Sequence, residues 1–125
     1  MNSQFPYDRA ICYSGFRAGQ APGGKYPTYE QIKEDLSLLQ HHWKYLRMYD
    51  CDEFAETVLE VIRKEQMDFK VMQGMFMAAE MNNFGCPWGG TYPEDVLRAN
   101  KKKNKVQVEK LIELANQYSD IIFAV

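Results

Sequence analysis

Histidine and cysteine are scarce in this sequence. The two histidines, His41 and His42, are adjacent, and the three cysteines, Cys12, Cys51 and Cys86, lie far apart. There is no C-x-x-C pair and no mixed Cys/His cluster at ligand spacing, so no metal site is expected. An odd number of widely spaced cysteines also argues against a disulfide scaffold. Long apolar runs are missing too. None approaches the ~20 residues that cross a bilayer, so no membrane-spanning segment is expected. The start, Met1-Asn2-Ser3-Gln4-Phe5-Pro6, lacks the basic and apolar regions of a signal peptide. A cytoplasmic protein and one whose leader has been removed both fit, and localisation stays unknown. Strong charge of one sign is absent as well. The net charge of −2 gives no bias toward nucleic acid. No G-x-G-x-x-G follows the first apolar run, which weakens a dinucleotide site, and no cofactor is expected.

What is present is enough for a packed core. The 125 residues are 46% hydrophobic and 26% charged, ordinary values for a folded domain, with a high aromatic share of 14%. Four short apolar runs alternate with helical patterns. The first is Ala10-Ile11-Cys12-Tyr13, followed by a loop rich in Gly and Pro. Thr28 then caps a helix, with Gln31 completing a capping box, and Tyr29, Ile32, Leu36 and Leu39 share one face. The second run is Tyr45-Leu46-Arg47-Met48-Tyr49. After it, Asp52 is a candidate N-cap for a helix whose stripe is Ala55, Val58, Leu59 and Ile62. The third run spans Phe69 to Phe76. A long segment, Met77 to Pro93, leads to a third helix with Val108, Leu111, Ile112 and Ala115 as its stripe. Ile121-Ile122-Phe123-Ala124-Val125 forms the last run. Strands alternating with helices imply βαβ units and a parallel α/β sheet, either open and doubly wound or an arc of a barrel. A terminal apolar strand reads as a cut through a larger fold, because buried parallel strands normally have neighbours on both sides.

The strands Ile11-Cys12-Tyr13-Ser14-Gly15, Tyr45-Leu46-Arg47-Met48-Tyr49-Asp50 and Val71-Met72-Gln73-Gly74 resemble the first three barrel strands of glycoside hydrolase family 17. The ending Ser119-Asp120-Ile121-Ile122-Phe123-Ala124-Val125 resembles the fourth. Trp88-Gly89-Gly90-Thr91-Tyr92-Pro93 and the helix after it look like the bacterial branch. The resemblance covers nearly the whole chain and rests on the order and spacing of all four strands. It implies a TIM (β/α)8 barrel, of which residues 1–125 supply about the first four strands and three helices. It also implies a retaining hydrolase or transglycosylase acting on β-1,3-glucan, a laminarinase-like activity. Retaining chemistry needs two carboxylates about 5–5.5 Å apart. In the family, the acid/base lies in a Gly-Asn-Glu segment directly after strand four, and the nucleophile follows a late strand. Neither has a counterpart here. The segment is therefore expected to carry no catalytic residue and to be inactive alone. The implied partners are β-glucan and the missing C-terminal half of the barrel, or a second copy meeting it through open sheet edges.

Barrel active sites sit at the C-terminal ends of strands, which places Tyr13, Tyr49 and Asp50 there. A tyrosine ring can stack on a sugar face while its hydroxyl bonds a sugar oxygen; the plainer reading is that both rings fill the barrel mouth. Asp50 fits either a sugar hydroxyl or the cap of the next helix. Trp88, in the long loop after strand three, fits a stacking platform or a pin for the loop. Glu80 lies in the same loop and fits a hydrogen-bonding role better than a catalytic one. Arg47, charged among apolar neighbours, calls for a buried ion-pair partner. Lys101, Lys102, Lys103 and Lys105 read as a solvated helix face, and Cys12 and Met72 as core. Two other functions remain open: a non-catalytic glucan-binding half-barrel, and an unrelated flavodoxin-like α/β module, which would need a fifth strand.

Overall fold

A computed structural model describes residues 8–125, so the reading of the segment Met1–Pro6 lies outside the described residues. The elements follow in the order β1 (Ala10–Cys12), α1 (Tyr29–Leu39), β2 (Tyr45–Met48), α2 (Glu53–Lys64), β3 (Lys70–Gln73), α3 (Glu94–Gln117) and β4 (Ile122–Ala124). The four strands are parallel and stand in sequential order β1-β2-β3-β4. A flavodoxin-like sheet would place β1 between β2 and β3, so that alternative is set aside.

The local signals act as their chemistry requires. Thr28 Oγ1 accepts from Gln31 N at 3.3 Å, and Gln31 Oε1 accepts from Thr28 N at 3.0 Å. This reciprocal pair satisfies two otherwise orphaned donors at the start of α1. Asp52 Oδ1 accepts from Ala55 N at 3.1 Å and starts α2. Glu53 and Glu56 in the first turn of α2, and Arg63 and Lys64 in the last, match the helix dipole. The α2 stripe Ala55, Val58, Leu59 and Ile62 is fully buried.

Side chains alternate across the sheet. Leu46, Met48 and Val71 are buried on one face, in one cluster with Ile32 and Leu36 of α1 and the α2 stripe, and Gln73 is buried on the same face. Each such aliphatic side chain contributes roughly 1.5–3 kcal/mol. The opposite face is open. Cys12, Arg47 and Met72 point outward on it and are exposed, which corrects the assignment of Cys12 and Met72 to the core. Arg47 has no buried ion-pair partner among the described residues. Its guanidinium lies 5.2 Å from the centre of the Tyr49 ring. The sequence pattern misled here because a parallel strand covered on one face only still reads as continuously apolar.

α3 is also rotated from its expected setting. Its buried residues are Asn104 and Leu114, with Leu111 and Ala115 packed against the core, while Val108 and Ile112 are exposed. Asn104 fixes that rotation. Its amide bonds both the N–H and the carbonyl of Ala78, at 2.9 and 2.8 Å. Lys101, Lys102, Lys103 and Lys105 are exposed, as expected.

Candidate functional site

The residues following β1 and β2 converge on a cleft of about 410 Å³ at the C-terminal ends of these strands. That lies within the ~300–1,000 Å³ typical of small-ligand sites. Tyr13 and Ser14 leave β1, and Tyr49 and Asp50 leave β2. Phe16 and Pro22 come from the glycine-rich loop, Asp52 and Phe54 from the start of α2, and Phe76 from beyond β3. Gly74 lets the strand ends approach closely. Its N–H donates to Met48 O at 3.0 Å, and a Cβ there would stand 2.8 Å from that same oxygen.

Phe54 is the floor. It is buried, with its ring centre 5.4 Å from that of Tyr13 and 4.9 Å from that of Phe16. Tyr13 is buried too, and its hydroxyl donates to Asp35 Oδ2 at 2.9 Å. Burial, reinforced by the Asp35 carboxylate, holds this phenol far above its ordinary range. Arg17 Nη2 donates to Asp35 Oδ1 at 2.9 Å and completes the triad. Tyr13 therefore gives the cleft a ring wall, while its proton is committed to α1. Tyr49 differs. It is 51% exposed, stacked under Arg47, and its hydroxyl beside the Cys12 sulfur is held above the usual phenol range.

The cleft holds two carboxylates, and both are engaged. Asp50 Oδ1 accepts from Cys51 N at 2.8 Å and from Phe76 N at 3.3 Å, and the Asp50 carbonyl accepts from Gln73 Nε2 at 2.7 Å. Asp50 thus ties the ends of β2 and β3 together; the cap of α2 is Asp52. Burial raises the Asp52 pKa, opposed by the donated Ala55 N–H. Cys51 is buried beside them and its thiol is pushed up to about 11, first by burial and then by Asp50. This thiol is neutral and inert near neutral pH.

The cleft thus joins Tyr13, Tyr49 and Asp50, as the strand-end argument expected. Glu80 and Trp88 do not border it. Glu80 accepts from Asn104 Nδ2 at 2.9 Å, and Trp88 stands 88% exposed in the loop after β3. Sequence reasoning missed Phe16, Phe54 and Phe76, and named Asp52 only as the cap of α2. Phe54 precedes the α2 stripe, and Phe16 and Phe76 lie outside any periodic element, so no spacing marked them as neighbours. Among the described residues, no group of three or more His, Cys, Asp or Glu could hold a metal ion, and no helix is long and apolar enough to cross a membrane.

No family model matches this chain, and no curated protein does. Among solved structures, an endo-laminarinase from Formosa Hel1_33_131 matches over 92% of the chain, with a TM-score of 0.69 and 21% identity. The matched chain is much longer, and the region of likeness covers 29% of it. At this identity the likeness is one of fold: a small α/β unit with a four-stranded parallel sheet and three helices, similar to a glucanase structure.

Proposed function

We propose that this chain is the N-terminal part of a βα-barrel glycoside hydrolase of the family 17 type, and that its cleft binds β-1,3-glucan. The observation that carries the reading is the cleft itself. It lies at the C-terminal strand ends, has an aromatic floor, and offers the half-exposed Tyr49 ring beside it. An aromatic surface with few free charges suits the C–H faces of a neutral sugar. The open sheet face supports the barrel. All-parallel sheets normally have both faces covered, and closure by four further strands would cover Cys12, Arg47 and Met72. The likeness to an endo-laminarinase supports the substrate class.

In this reading the chain holds and orients glucan, and chemistry is supplied from the rest of the barrel. Asp50 and Asp52 act as struts, each accepting backbone N–H groups through Oδ1. Tyr13 shapes the cleft wall, and Tyr49 stacks on a glucose ring. Trp88 and Glu80 lie beyond the cleft and are no part of its binding surface, Glu80 being held by Asn104.

Tyr49→Ala tests this. Loss of one stacked ring and one hydroxyl contact, about 1–2 kcal/mol, should weaken laminari-oligosaccharide binding about tenfold in calorimetric titration. A ring half in water contributes little to the core, so the melting temperature should stay nearly unchanged. Unaltered affinity together with a large loss of stability would make Tyr49 a structural residue and remove the main support for a sugar site.

A further inference from the structure

The segment from Gly74 to Pro93 contains one charged residue, Glu80, and Asn104 engages that carboxylate. The segment is tied down at its root. Asn104 holds Ala78, and Asn100 Nδ2 donates to Ala79 O at 2.8 Å. It is closed again at its neck. Asn82 Oδ1 accepts from Tyr92 N at 2.8 Å, and Asn82 Nδ2 donates to Tyr92 O at 3.2 Å. This side-chain copy of a strand pairing makes residues 82–92 a compact Ω-type loop. Inside it, Cys86 N donates to Asn83 O at 3.2 Å and Gly89 N to Cys86 O at 3.0 Å. A Cβ at Gly89 would stand 2.9 Å from Asn83 O, so the turn is tightly closed.

This hydrogen-bonded loop presents its largest rings to water. Phe84 is 83% exposed and Trp88 88%. Rings left in solvent contribute little to folding, so their ordered display is not explained by the core. The loop is continuous with the cleft: Phe76 lines the cleft, and the six residues from Phe76 to Asn82 span at most about 20 Å. With no cation between Gly74 and Pro93, phosphate recognition is disfavoured, whereas aromatic rings with neutral amides suit a neutral sugar chain.

We infer that the 82–92 loop is a second glucan contact outside the cleft, which uses Trp88 and Phe84 to grip polymeric β-glucan and not short oligosaccharides. This rests on the proposed glucan reading of the cleft. Together the two contacts act as linked weak sites, so the loop contributes only when one chain reaches both.

The test compares the full chain with a Phe84→Ala/Trp88→Ala double variant on two glucan probes, laminaritriose, too short for both sites, and insoluble β-1,3-glucan, and on phosphatidylcholine vesicles as a control. The expected result is polymer retention weakened about tenfold or more, with laminaritriose affinity within about twofold of the parent and an unchanged melt. If the parent binds both probes and the double variant retains polymer equally well, this inference fails while the cleft reading stands. An equal loss on both probes also overturns it, because the rings would then belong to the cleft. If the parent binds neither probe, the glucan reading fails and this inference with it. Loss of retention on phosphatidylcholine vesicles, with glucan retention intact, would overturn it in favour of a lipid surface.

Discussion

Replacing Asn104 by alanine should cost about 2–4 kcal/mol and loosen the loop after β3. Asn104 is 2% exposed, and its amide meets Ala78 N, Ala78 O and Glu80 Oε1 at 2.9, 2.8 and 2.9 Å. Alanine fills none of these roles. The half-buried Ala78 N–H and carbonyl would lose their side-chain partner, at up to about 1–3 kcal/mol for each group that water does not reach. Thermal unfolding should fall by roughly 10 °C. Hydrogen exchange at the Ala78 amide should speed up more than overall destabilisation alone explains. Equal acceleration across all amides would mean that Asn104 supports the fold generally and not the loop in particular.

Phe54→Ala should have the largest effect at the cleft. Phe54 is 5% exposed and packs against both Tyr13 and Phe16 while forming the floor. Truncation of such a ring costs about 3–5 kcal/mol and leaves a cavity beneath the site. Denaturant unfolding should show this loss with an unchanged slope. Affinity for laminari-oligosaccharides should fall as well, even below the new unfolding transition, because Tyr13 and Phe16 lose the surface that positions them. Full affinity in a destabilised but folded variant would show that the floor does not shape the binding site.

The sequence exposed those parts of the fold that rest on local chemistry. Thr28 with Gln31, Asp52, and the α2 stripe from Ala55 to Ile62 are recognisable because caps and helix periodicity involve residues three or four apart. The βα alternation was legible for the same reason, whereas right-handed crossovers left two strand orders open, and the structure shows the sequential one. What failed depended on distant residues. The face that α3 turns inward is set by Asn104 meeting Ala78, 26 residues away, so the Val108 and Ile112 stripe pointed the wrong way. Arg47, Cys12 and Met72 could not be assigned to an open face from apolar strands alone. At the cleft, the positions of Tyr13, Tyr49 and Asp50 at the strand ends were legible because the apolar runs end there. The donation from Tyr13 to Asp35, 22 residues on, and the convergence of Phe16, Phe54 and Phe76 were not.

The central claim is that the cleft at the ends of β1 and β2 binds β-1,3-glucan. The most direct measurement is an NMR titration of the isotope-labelled full chain with laminari-oligosaccharides, residue by residue. Saturable shifts are expected, centred on Tyr13, Ser14, Tyr49, Asp50 and Phe76, with ring protons of Tyr49 showing transfer from bound sugar. Shifts confined to residues distant from this cleft, or no saturable change at millimolar oligosaccharide, would contradict the claim.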